Sequence, residues 1–133
     1  MNMTDYLEGQ IIAHIFRTAS FAKPTDLTVH LYTAAPTEAG GGTEVSGGSY
    51  APVSRPPLDT NWAAPVGGNG NTSNVALIQF PAPTANWGQV VAWAIKDQAG
   101  NILFYYTMAT PKTVNSGDPA PKFDPNTLQV TFD

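Results

Sequence analysis

Val90-Val91-Ala92-Trp93-Ala94-Ile95-Lys96, followed by Asp97-Gln98-Ala99-Gly100-Asn101 and then Ile102-Leu103-Phe104-Tyr105-Tyr106-Thr107-Met108, is the stretch that decides the fold. Two runs rich in β-branched and aromatic residues, joined by a loop whose glycine can supply positive φ, predict an antiparallel hairpin. Trp93 and Ile95 fall on one side and Val90, Ala92 and Ala94 on the other. A strand apolar on both faces belongs in the middle of a sheet.

Further strands flank that hairpin. Leu27, Val29 and Leu31 alternate with Thr28, His30 and Tyr32, a period of two with one buried face. Glu44 to Val53 predicts a glycine-weakened return strand. Val75, Leu77 and Gln79 alternate with Ala76, Ile78 and Phe80 until Pro81 and Pro83 stop the run. Short strands are expected around Thr113-Val114 and Lys122-Phe123, and Leu128, Val130 and Phe132 alternate near the end. Only the N-terminal segment breaks this pattern. Leu7, Ile11 and Ile15 recur every four residues with Ile12 and Phe16 widening the stripe, which predicts a helix over about 5–18 with an Asp5/Glu8 capping box, and Pro24 forbids its continuation. Ser54 to Asn74, with its prolines and the run Gly67-Gly68-Asn69-Gly70, reads as a long irregular loop. The expected architecture is mainly β: an antiparallel β-sandwich, with a jelly roll as one form, carrying one N-terminal α-helix.

The 133 residues suit one domain over 1–133, with 42% hydrophobic residues to build a core. Charged residues are only 12%, about half the share usual in soluble domains. Aromatic content of 11% and a net charge of -4 argue against disorder. Arg17, Lys23, Arg55, Lys96, Lys112 and Lys122 are scattered, so nucleic acid is not an expected partner. There is no cysteine, hence no disulfide, thiolate nucleophile or cysteine metal site. No apolar run approaches a membrane span and no basic leader opens the chain, so membrane insertion is not expected and the mature chain is read as the translated one, soluble.

Candidate chemistry is sparse. His14 and His30 are the only neutral-pH bases and neither has the oriented acid or strained nucleophile of a Ser-His-Asp site, so both read as packing or surface residues. Asp118 and Asp124 sit among Pro119, Pro121 and Pro125, where Asp-Pro pairs start turns more often than they form a glycosidase carboxylate pair. No calcium-loop pattern occurs, and neither glycine run ends as a phosphate loop does. The expectation is no enzyme, no cofactor and no metal. The aromatics are the better candidates for contact, because rigid rings contribute large area at little entropic cost. Trp93 reads as core, while Tyr50, Trp62 and Trp87 are the candidate interface or receptor contacts, Trp87 being the one that alternatively closes an end of the sandwich.

Tyr6-Leu7 with His14-Ile15-Phe16-Arg17, the run Leu27 to Thr37, Gly40-Gly41-Gly42-Thr43-Glu44-Val45-Ser46-Gly47-Gly48-Ser49-Tyr50, Phe80 to Gly88 and Pro111 to Asp118 together resemble small bacteriophage proteins commonly labelled tail-fibre-like. The resemblance runs nearly end to end, departing at Pro52, Pro56 and Pro57 and in the enlarged loop around Trp62. It implies a non-enzymatic virion protein on the particle surface, made in the bacterial cytoplasm. Coiled-coil heptads, collagen triplets and β-helical repeats are all absent, so a capsid decoration or cement protein is the favoured form. The partners then expected are the major capsid protein or tail proteins, and copies of the chain itself in a symmetric oligomer, a trimer being the expected closed form. The alternative is a tail-fibre or tail-tip component with a host-receptor or carbohydrate-binding role, in which Tyr50, Trp62 and the 54–74 loop meet a host-surface glycan. A depolymerase would require Glu44, Asp59, Asp118 and Asp124 to converge in a cleft.

Overall fold

The structure is a computed structural model and describes residues 1–132. One helix, α1 (Asp5–Phe16), and ten strands follow one another: β1 (Asn2–Met3) before the helix, then β2 (Leu27–Ala34), β3 (Thr43–Glu44), β4 (Val53–Ser54), β5 (Asn71–Ser73), β6 (Ile78–Gln79), β7 (Gly88–Asp97), β8 (Ile102–Val114), β9 (Lys122–Phe123) and β10 (Gln129–Thr131). The chain is mainly β with one N-terminal helix, and every strand pair is antiparallel.

The β7–β8 hairpin is central, as its two apolar faces require. The main sheet has the order β1-β8-β7-β2-β3, with β4 also on β2. The hairpin turn is closed by the buried Asp97 carboxylate, which accepts from the amides of Ala99 and Asn101 and from the Asn101 side chain, all at 2.9 Å. Two small ribbons, β5–β10 and β6–β9, face the sheet. Between them lies the core, where Val29, Leu31, Trp93 and Ile95 from the sheet meet Ile78, Phe80, Leu128 and Val130. This pairing does not establish a jelly roll.

Several local expectations change. Val90 joins Trp93 and Ile95 in the main core instead of Ala92 and Ala94, because the register shifts between Val90 and Ala92. The return strand is two short pieces on the outer edge of β2: β4 pairs at Thr28–Val29 and β3 at Tyr32–Ala34. The gap is bridged by Leu31, whose carbonyl accepts from the Val45 amide and whose amide donates to the Tyr50 hydroxyl, both at 2.9 Å.

The helix ends two residues before the expected boundary, with Arg17 extended beyond it. Its cap is Thr4 and not Asp5: the Thr4 hydroxyl accepts from the Leu7 amide at 3.4 Å and donates to the Ile102 carbonyl at 2.5 Å, fastening the helix start to β8. Asp5 is instead the first helical residue, so no capping box forms, although both acids still lie on the positive end of the helix. The larger departure is burial. Of the predicted stripe only Leu7 is buried, at 4% exposure, while Ile12, Ile15 and Phe16 are 55%, 63% and 79% exposed.

Candidate functional site

Tyr50 and Trp87 come together at one end of the core. The loop between β3 and β4 turns Tyr50 inward, so its ring stacks on Phe80 at 6.1 Å and meets Trp87 edge-on at 5.3 Å. Trp87 is 5% exposed, and its indole N–H donates to the Gly48 carbonyl at 2.9 Å. Gly48 makes this approach possible: it sits at φ 55, and a Cβ there would lie 2.8 Å from the indole nitrogen. Trp87 therefore closes the end of the core, and Tyr50 packs beside it instead of presenting its face outward.

Trp62 lies elsewhere. The 54–74 loop is more ordered than its composition suggests: Trp62 forms a bridge with Asn74, its indole N–H donates to the Arg55 carbonyl at 3.0 Å, and its own amide reaches the Leu58 carbonyl at 3.0 Å. This folding leaves Trp62 half-buried in a groove of about 620 Å³, which neither Tyr50 nor Trp87 lines. Its walls are apolar, with Leu58, Phe104, Val130 and Phe132 beside Trp62, and only Lys23 and Asp59 are charged. At its mouth Pro65 to Gly70 forms an exposed turn, pinned where the Asn71 side chain accepts from the Val66 amide at 3.3 Å and the Gly70 carbonyl from the Phe132 amide at 2.6 Å.

The sequence pointed to Trp62 but not to the rest of this groove. Phe132 was visible in the terminal alternation, but a period of two says which residues share a face and not what lies opposite. Leu58 carried no periodic signal at all.

One polar cluster looks like chemistry. On the helix side of the main sheet, the Nδ1–H of His30 donates to Glu44, the Tyr50 hydroxyl donates to the same carboxylate at 3.0 Å, and Lys96 pairs with it at 3.4 Å while its Nζ lies 5.7 Å from the Tyr32 ring centre. The other His30 nitrogen accepts from Thr28 at 2.8 Å. Burial lowers the His30 pKa, despite the opposing hydrogen bond and charge of Glu44. Burial raises Glu44, but its partners His30, Tyr50 and Lys96 outweigh this and hold it below the usual carboxylate range. His30 is thus a neutral donor between two partners, and the cluster is an internally satisfied ion pair. The tautomer follows from that bonding.

The carboxylates do not converge. Asp118 accepts from the Asn115 amide in a turn at 2.8 Å, Asp124 pairs with Lys122 at 3.1 Å, Glu44 belongs to the His30 cluster and Asp59 rims the groove. Among the described residues, no three histidine, cysteine or carboxylate side chains gather to hold a metal. His14 accepts from the Phe21 amide at 3.1 Å and ties down the segment after the helix. No helix among the described residues is long and apolar enough to cross a membrane.

Residues 2–131 match the model of a family described as podophage GP4 fiber I protein gp80. Among curated proteins no match is found.

Proposed function

The chain belongs to the podophage GP4 fiber I protein family, a non-enzymatic structural component of the virion, and from that premise we propose that it works on the particle exterior as a symmetric oligomer joined to other tail or fibre proteins. The observation that carries this reading is the apolar surface left in the open: a helix face with Phe16 79% exposed, and a groove walled by Leu58, Trp62 and Phe132. Contiguous exposed apolar patches on a folded chain mark interaction surfaces, and low overall charge makes such surfaces cheaper to desolvate.

Family membership supports the fibre over the capsid decoration that the chain's size and missing shaft repeats favoured. A short domain of this kind serves as a tip or adaptor piece of a fibre, and a trimer is the closed form that suits it. The groove is better matched to a protein partner than to a glycan. Sugar sites need several polar groups beside the ring platform, whereas this one has few, and the Trp62 N–H is already spent on Arg55.

Electron microscopy of particles labelled with an antibody to this chain tests the assignment. Label confined to the tail, in a handful of copies, is the expected result. Hundreds of copies spread over the head would return the protein to capsid decoration, and glycan-array binding lost in Trp62→Ala would restore the carbohydrate role.

A further inference from the structure

Two surfaces of this chain are each incomplete, and they complement one another. The first is the outward face of α1, where Ile12, Ile15 and Phe16 stand at i, i+3 and i+4 and so form one patch. Asp5 and Glu8 precede that patch on the exposed side, and Arg17 follows it. The second is the Trp62 groove, whose only charged lining residues are Lys23 and Asp59. The helix patch carries acids on one flank and a cation on the other; the groove carries one cation and one acid.

We infer that α1 of one copy docks in the Trp62 groove of the next, with Ile15 and Phe16 entering between Leu58, Trp62 and Phe132, Glu8 reaching Lys23 and Arg17 reaching Asp59 of the second copy. This rests on the reading of the chain as an exterior component assembled from several copies. The groove volume of about 620 Å³ lies in the range in which recessed sites accept whole side chains. Within one chain both surfaces stay open, so the helix does not fill its own groove.

The contact is heterologous: patch meets groove, not patch meets patch. Repeated around an axis it closes into a ring in which each copy uses both surfaces. That doubles the area each copy buries, which matters because one three-residue patch falls short of the roughly 800 Å² per partner of a standard interface. A helix-to-helix dimer would bury the patch and leave the groove empty.

Sedimentation velocity on purified chain tests the arrangement. Wild type is expected to form one closed oligomer, and Phe16→Asp and Leu58→Asp are each expected to be monomers with unchanged far-ultraviolet circular dichroism, since both residues are solvent-exposed. Mixing the two variants at about 1 mM, where the single contact left to them holds without ring closure, should yield a one-to-one heterodimer, because Phe16→Asp keeps an intact groove and Leu58→Asp an intact patch. Lys23→Glu should weaken assembly by about threefold, the scale of one exposed ion pair, with recovery in the Glu8→Lys/Lys23→Glu double variant. Mixed variants that stay monomeric, or a Leu58→Asp chain that still assembles, would overturn the contact while leaving a symmetric oligomer standing. A wild type still monomeric at about 100 μM, well above the micromolar Kd of even weak standard-size interfaces, would overturn the contact and the oligomer together. Tail labelling would then decide separately whether the fibre assignment survives.

Discussion

Asn74 shows how much one side chain holds in this molecule. It is fully buried, its Oδ1 accepts from the Leu128 amide at 2.9 Å, and its Nδ2 donates to the carbonyls of Ala76 and Asp124 at 2.9 and 3.0 Å. It thereby ties the end of the 54–74 loop to the last two strands. Asn74→Ala would strand a buried N–H and two carbonyls, so a loss of about 2–4 kcal/mol is expected, read as a lower urea midpoint at unchanged m-value. Nothing in the sequence separated Asn74 from the other asparagines of its loop, because a buried polar hub is defined by partners some fifty positions away. His30 was legible as a packing residue, but its pH behaviour was not. Its folded pKa lies below the ordinary 6.5, so the unfolded chain binds the proton first and stability falls as pH drops below about 6.5. Glu44, held below 4.5, adds a second loss in the acid range. Thermal melts from about pH 8 down to about pH 2 should show both, and His30→Gln should remove the upper one.

At the scale of elements, the helix is where the sequence pattern and the fold part company. The periodic stripe grouped Leu7 with Ile12, Ile15 and Phe16, but Leu7 alone of these turns inward and the other three form a separate outward patch; a sequence repeat carries no information on what covers a face. What fixes α1 is its first turn, where Thr4 is anchored to β8 and the Asp5 amide donates to the Glu38 carbonyl at 2.9 Å. Thr4→Ala is expected to cost about 1–2 kcal/mol and to speed amide hydrogen exchange across 5–16 more than in the central hairpin. The hairpin itself was readable because both of its faces are apolar, a property that needs no knowledge of neighbours. Among the two-residue strands, β9 coincides with the strand expected at Lys122-Phe123 and β6 lies inside the alternating run 75–80, whereas β3 and β4 replace one expected return strand, since segments that short have no period of their own to separate them. On the outer edge of β2 a side chain stands in for a strand. Tyr50→Phe keeps the ring packing but removes the acceptor for the Leu31 amide, so faster exchange at Leu31 with little change at Val29 is the expected signature.

The whole molecule is a sparsely charged scaffold that exposes apolar side chains on the outward face of α1 and at the Trp62 groove, among other positions. Assembly through such surfaces is driven by desolvation of nonpolar area more than by ion pairs. Ammonium sulfate should therefore tighten self-association, while sodium chloride should shift its Kd by no more than about threefold between low and moderate ionic strength, because exposed charge pairs contribute little. Light scattering across the two salt series checks both. Fold class and the scarcity of catalytic chemistry were legible from composition and alternation; the groove was not, because its walls come from the strap after the helix, the long loop, the central hairpin and the last strand. The Pro65–Gly70 turn at its mouth carries a different kind of consequence. Fastened at its base and solvated along its length, it can exchange residues such as Val66 and Asn69 with little effect on the core, whereas Gly67 and Gly68 are held by positive φ and Gly70 by the Phe132 backbone. Heritable change is therefore cheapest at the rim of the proposed docking groove, where it would alter what the groove accepts without reinventing the domain that presents it.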